Sequence, residues 1–273
     1  NAKLNLTSND LNIFGIDKVV LSLKNKVWIK PGGNRITVKK NRDIIFDGLI
    51  TAGKTQYYGF DFSFNYDDFK LELNQCDSMF IWADYKESKR KGSLVRTLSN
   101  IRSLKGSIFI DGSNNKSGID TSYNEYPIME SNTSSYVFYD DPSIQSGLYK
   151  RDKFMFVIEP FSMDSLDKFS NDDINLKGLF KSGGIFPDFS ESLKIMPDYS
   201  LGFIRDTPKD GFNLYNQLAS YDNQIRLSNK GLKGTGTIEF YTSTAISDDI
   251  IFFPDSVSAL AHTYNNKQQD SDP

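Results

Sequence analysis

The most regular pattern along the chain is a period of two. In "YYGFDFSFNYDDFKLEL", Tyr57 to Leu73, the rings of Tyr58, Phe60, Phe62, Phe64 and Tyr66 fall on even positions, while Phe69, Leu71 and Leu73 fall on odd ones. Between them lie Gly59, Asp61, Ser63 and Asn65, then Lys70, Glu72 and Asn74, all small or polar. Side chains alternate between the two faces of a strand, so a run that changes phase across Asn65–Asp68 predicts two strands joined by a tight turn. It also predicts that Phe60, Phe62 and Phe64 share one buried face with Phe69 and Leu71 or Leu73.

Similar runs recur as "KVVLSL", "KVWIK", "RITVKK", "DIIFDGLITAG", "GSIFI", "SYVFYD", "KFMFVIE", "IRLS", "GTIEFYTST" and "DDIIFF", with Gly, Asn, Asp and Pro between them. Helical spacing is confined to short pieces. "SLVRTLSNI" aligns Leu94, Leu98 and Ile101, "FNLYNQLASY" aligns Leu214 and Leu218, and "PDSVSALAHTY" offers Asp255 as an N-cap. The expected class is all-β: a mostly antiparallel, repetitive sheet or sandwich with a few short helices, or alternatively a β-solenoid.

One tripeptide returns three times, as Leu104-Lys105-Gly106, Leu176-Lys177-Gly178 and Leu232-Lys233-Gly234, and Phe46-Asp47-Gly48 has the same apolar-x-Gly form. The spacing is too irregular for a strict solenoid but suits recurring sheet units. A glycine inside a strand marks a bulge, or a place where a backbone or a large ring packs close. No sharp domain boundary shows. Residues 1–262 are expected to form one β-rich domain or tightly packed β units, with a soft boundary near 86–124, where "KESKRK" and "SNNKSGIDTSYN" are polar and turn-forming. Residues 263–273, ending in "NNKQQDSDP", are expected to be a disordered tail.

Composition narrows the function classes. With 273 residues, 38% apolar and 14% aromatic, the chain has ample material for a core. Its 32 basic and 35 acidic residues give a net charge of −3, which supplies no electrostatic drive toward a polyanion, so nucleic acid is not an expected partner. The basic run Lys86–Lys91 reads as a solvated loop. No apolar run approaches the ~18–20 residues that cross a bilayer as a helix. The polar opening "NAKLNLTSND", without Met, is expected of a segment of something longer.

The single cysteine, Cys76, excludes an intrachain disulfide, and with the single histidine, His262, it cannot complete a conventional zinc site. Because Cys76 follows directly on a strand, a structural thiol is expected rather than a Cys76–His262 dyad. "GLKGTGTIE" lacks the Lys-Ser/Thr of a phosphate loop and leads into a strand. Among the carboxylates, Glu159 stands out as a general-acid candidate, since it closes the apolar "KFMFVIEP", where burial would raise its pKa. "DGSNNKSGID" places Asp111, Ser113, Asn115, Ser117 and Asp120 at spacings that suit calcium, though without an EF-hand's glycine position or closing Glu, and a turn-rich hairpin loop explains it more simply. No other cofactor is expected. Trp28 and Trp82 alternate out of phase with Val27, Ile29 and Ile81, which makes them candidates for an outward binding surface; a core role in a two-sided sheet competes with that reading.

In "YPIMESNTSSYVFYDDPSIQSGLYKRDKFMFVIEPFSMDSLDKFS", "KSGGIFPDFSESLKIMPDYSLGFIRDTP", "IRLSNKGLKGTGTIEF" and "DDIIFFPDS", the chain resembles segments of large, repeat-rich, uncharacterised bacterial envelope proteins. The resemblance covers most of residues 40–258. It implies an extracytoplasmic β-rich scaffold in the periplasm or at the cell surface, partnered by other envelope proteins or glycans, and assigns no catalytic residue. The function expected is a non-enzymatic structural and interaction segment. The alternative is a carbohydrate-active enzyme on a β-sandwich, using a carboxylate pair.

Overall fold

The computed structural model describes residues 1–86 and 92–267. The protein is all-β, with 54% of its residues in antiparallel strands. In chain order these are β1 (Ala2–Leu4), β2 (Leu11–Phe14), β3 (Val19–Ser22), β4 (Val27–Pro31), β5 (Arg35–Val38), β6 (Ile44–Ala52), β7 (Thr55–Asn65) and β8 (Lys70–Asp84). Then come β9 (Leu94–Arg96), β10 (Ile101–Phe109), β11 (Ile128–Ser131), β12 (Ser135–Phe138), β13 (Phe154–Ile158), β14 (Ser162–Met163) and β15 (Leu176–Ser182). The remainder are β16 (Phe189–Ile195), β17 (Leu201–Asp206), β18 (Phe212–Leu214), β19 (Ala219–Ser228), β20 (Gly231–Phe240), β21 (Ser243–Phe252), β22 (Val257–Ala259) and β23 (Thr263–Asn266).

The expected short helices are absent among the described residues, where only 3₁₀ turns such as Gly32–Asn34 occur. Leu94–Arg96 instead pairs with Trp82–Asp84, Phe212–Leu214 with Ala219–Tyr221, and Val257–Ala259 with Ile250–Phe252. A helix of two or three turns is marginal alone, and an unfilled strand edge alongside offers the same backbone a complete ladder.

Two compact units divide the chain: Asn1–Tyr136 with Ile158–Ile174, and Val137–Val157 with the chain from Asn175 onward. The division therefore falls outside 86–124. Residues 87–91 of the basic run lie outside the described residues. The polar stretch that follows Asp111 is an ordered loop of the first unit rather than a linker: Asn25 Nδ2 donates to Ile110 O and to Asp111 Oδ2, and Lys24 Nζ to Asp120 O. At the other end, Thr263–Asn266 pairs with Ser243–Ile246, so the expected tail begins later than 263. Pairing uses backbone groups alone, and all four residues are exposed, which is why composition did not reveal this strand.

In the first unit β6, β7, β8 and β10 form a meander of long strands. The β7–β8 reversal occupies Tyr66–Phe69 and is closed by the Asn65–Lys70 pair, one residue later than the pattern indicated. Each ladder slips once near its middle. Phe46 pairs with Phe62 but Gly48 with Gly59, Tyr58 with Ser78 but Gly59 with Cys76, and Leu104 with Cys76 but Gly106 with Leu73. A bulge inserts one residue, bends the strand and inverts its side-chain phase beyond that point. Phe62 and Phe64 are thus buried with Phe69, Leu71 and Leu73, whereas Phe60 is 45% and Tyr58 47% exposed. The residue at the switch, Asp61, has φ 52°, a left-handed value that Asp tolerates better than most. Tyr57 and Gly59 take the buried places expected of Tyr58 and Phe60.

Because the long strands bend, two strands in succession share a single edge. β4 and β5 both pair with β6, and β9 and β10 with β8. In the second unit β17 and β18 both pair with β19, and β22 and β23 with β21. The three Leu-Lys-Gly tripeptides all lie in strands, with leucine and glycine buried. A Cβ on Gly106 would strike the Glu130 carbonyl, one on Gly178 the Val157 carbonyl and the Phe156 ring, and one on Gly234 the Tyr221 hydroxyl and the Phe252 ring. The glycines thus mark close approaches.

Candidate functional site

The side of the first unit opposite its core is assembled by strand register. One row runs Lys30, Leu49, Tyr58, Ser78, Arg102 and Tyr136 across β4, β6, β7, β8, β10 and β12. Beside it a second row runs Trp28, Thr51, Gln56 and Phe80. Residues directly opposite in antiparallel strands point to the same side, so both rows share one face. The opposing phase is the core: Val27, Ile29, Ile50, Tyr57, Met79 and Ile81 are all at most 1% exposed.

Cations sit among the rings. Lys18 Nζ lies 4.1 Å from the centre of the Trp28 ring, and the Arg96 guanidinium 4.5 Å from that of Phe80. Arg102 donates to Ser78 Oγ at 2.7 Å, which fixes its head within the first row. Neither row contains a carboxylate. Among the described residues none of Lys18, Lys30, Arg96 or Arg102 forms an ion pair, so the face presents positive charge over aromatic surface. Tyr58 and Phe60 meet edge to face at 6.1 Å and add an exposed aromatic step beside the rows. The central strands carry ladders on both sides, so their backbone is consumed, and the face can contact a partner only through side chains.

Trp28 and Trp82 are both half-buried, on the phase opposite their fully buried neighbours Val27, Ile29 and Ile81. The sequence pattern missed Tyr58, Phe60 and Phe80. Phe60 shares the even phase of Phe62 and Phe64 in the sequence, which predicts burial for it, and the adjacent rings of Tyr57 and Tyr58 leave either one eligible for the core. Glu159 is exposed just beyond β13, so the burial expected to make it a general acid is absent. It follows the buried Ile158, the last residue of β13.

The Asp111 loop is built from hydrogen donors. Asp111 is buried, and its carboxylate accepts from Lys24 Nζ at 3.2 Å, Asn25 Nδ2 at 2.9 Å, the Gly112 N–H at 2.8 Å and Asn115 Nδ2 at 3.0 Å. Asn115 Oδ1 accepts the Asp120 N–H, and Asp120 Oδ1 accepts from Ser122 N and Oγ. Ser113 contributes its carbonyl to Lys116 Nζ. The side-chain oxygens of Asp111, Asn115 and Asp120 are thus engaged in closing the loop. Cys76 is buried at the β7–β8 ladder slip, where its S–H donates to the Ser78 carbonyl, and burial pushes its thiol up to about 12. His262 is exposed beside β23.

Comparison with protein-family models, with curated proteins and with solved structures finds no match for this chain.

Proposed function

We propose that this chain is a non-enzymatic, β-rich interaction segment of a larger extracytoplasmic envelope protein, and that the outer face of its first unit holds a glycan or polypeptide partner. The support for the envelope setting is the resemblance of its strand blocks to such proteins. The observation that carries the binding role is the pair of rows in which Trp28, Tyr58 and Phe80, with Phe60 beside them, lie on the side away from the core among cations that form no ion pair among the described residues. Rings on a sheet face stack on sugars or planar side chains, and adjacent cations favour an anionic partner. A glycan suits this face better than an added strand, which would need the backbone groups of a sheet edge.

The test is retention of envelope polysaccharides and proteins by the immobilised chain, comparing the parent with a Tyr58→Ala, Phe60→Ala, Arg102→Ala variant. The expected result is loss of retention at unchanged melting temperature. Equal retention by parent and variant would remove the face from the function. Sugar release by the parent that disappears in Glu159→Gln would favour the carboxylate-pair enzyme instead.

A further inference from the structure

The second unit contains a cavity of about 540 Å³ that the face described above does not involve. Three segments of chain form its walls: Gly183 and Gly184 between β15 and β16, the hairpin tip from Tyr215 to Leu218 between β18 and β19, and Pro254–Val257 between β21 and β22. Ala219, Ile238 and Phe240 complete the lining.

The walls are tied together. The Tyr215 N–H donates to Ile185 O at 3.1 Å, which joins the tip to the first wall. The Tyr215 hydroxyl lies 2.7 Å from the carbonyl oxygens of both Phe253 and Ser256 and joins it to the third. Within the tip, Tyr215, Asn216 and Gln217 have φ of 47°, 59° and 73°, three consecutive left-handed residues with no glycine among them. Such a conformation persists only where its surroundings over-determine it, and it is found preferentially at ligand clamps. The cavity is therefore held open by the fold, and its size is that of a small-molecule site, roughly 300–1,000 Å³.

Its chemistry is one-sided. Leu218 and Phe240 stand 57% and 48% exposed at the mouth, above Ile238 and Val257, while the single charged lining residue is Asp255. Asp255 forms no ion pair among the described residues; its Oδ1 accepts the Ser256 hydroxyl at 3.0 Å, and no lining residue carries positive charge. An apolar chamber with one unneutralised carboxylate complements an apolar body with a cationic head and repels a fatty-acid carboxylate.

We infer that the cavity of the second unit is a binding site for a small cationic amphiphile, with the hydrocarbon against Leu218, Ile238, Phe240 and Val257 and the ammonium group at Asp255. The test is calorimetric titration of the intact chain with octyltrimethylammonium, octanoate and octyl glucoside, each below its micellar concentration. The expected result is saturable binding of the ammonium compound alone. Asp255→Asn should weaken it about two- to fivefold, the effect of losing one exposed ion contact. Val257→Trp should fill the chamber and abolish binding; should that variant unfold, Phe240→Ser at the exposed rim should weaken binding in a folded chain. No binding, equal binding of the three compounds, or undiminished binding by Asp255→Asn would each overturn the inference. Binding of a lysine-bearing apolar peptide without the ammonium compound would also overturn it.

Discussion

The two units differ in what fills their cores. In the second, rings are the core: Tyr149 stacks on Phe154 at 4.2 Å, Phe154 meets Phe180, Phe180 meets Phe203 and Phe189, and Phe189 continues through Phe212 to Phe186 and Phe252. Its buried tyrosines close that core with hydrogen bonds. Tyr149 Oη donates to Phe252 O and accepts the Leu232 N–H, Tyr139 donates to Leu201 O, and Tyr221 lies 2.6 and 2.7 Å from the carbonyls of Gln224 and Thr235. In the first unit the fully buried side chains are chiefly Ile, Leu, Val and Met, and several of the largest rings are outside. Its fully buried tyrosine, Tyr57, has a hydroxyl with no partner of hydrogen-bonding geometry. Aromatic content alone thus says little about role: a ring in a strand is core or contact surface according to the phase set by the nearest bulge.

The contrast can be broken most severely by alkali. Burial raises the pKa of Tyr139, Tyr149, Tyr215 and Tyr221 in the second unit, Tyr149 to about 12. The unfolded chain releases these protons near pH ~10, before the folded one does, so stability is complete below that value and falls as pH rises through the folded pKa values. Tyr57, Tyr126 and Cys76 act in the same direction in the first unit. Hydrogen exchange followed strand by strand above pH ~10 should show β19–β21 opening before β6–β8. The reverse order would contradict the greater dependence of the second unit on neutral tyrosines.

Truncating rings comes next. Phe180→Ala should destabilise by about 3–5 kcal/mol, while Phe60→Ala should stay within roughly 0.5 kcal/mol. Similar losses in denaturant melts would mean that the outer ring is structural. Gly178→Val, which drives a side chain onto the Val157 carbonyl and the Phe156 ring, should lose about 1–3 kcal/mol or more. An unchanged midpoint would show that the β13–β15 approach relaxes freely. The smallest effect is the sharpest comparison. Tyr149→Phe strands the Leu232 N–H and the Phe252 carbonyl and should cost about 1–3 kcal/mol, whereas Tyr57→Phe should be neutral or slightly stabilising. Both Trp residues lie in the first unit, so their emission follows Tyr57→Phe without interference from the second.

Strand identity was legible because a period of two survives in short windows, and the Leu-Lys-Gly tripeptides correctly marked close approaches. What the pattern hid was every change of phase inside a strand. Nothing in Gly59-Phe60-Asp61 distinguishes a bulge from continued alternation, because the choice is made by partners distant in sequence, through the pairing of Gly48 with Gly59 and of Cys76 with both Gly59 and Leu104. The outer face was legible only at Trp28 and Trp82, whose apolar neighbours are unambiguous. Tyr58 and Phe60 could be placed only after the ladder slip was known. The cavity left no trace in composition, since its walls come from three separate turns, and the left-handed residues at its rim are ordinary Tyr, Asn and Gln.

The lone thiol lies where those slips meet, and this gives the molecule an internal clock. Cys76 is 2% exposed with an elevated pKa, so a thiol-specific reagent reacts only during excursions that part β8 from β7 or β10. With reagent in excess and reclosure fast, the labelling rate divided by that of the unfolded chain is the equilibrium constant for the excursion. A rate matching global unfolding would mean that the bent meander opens only as a whole. A faster one would measure how far the strands beside the slips breathe on their own, without any engineered probe.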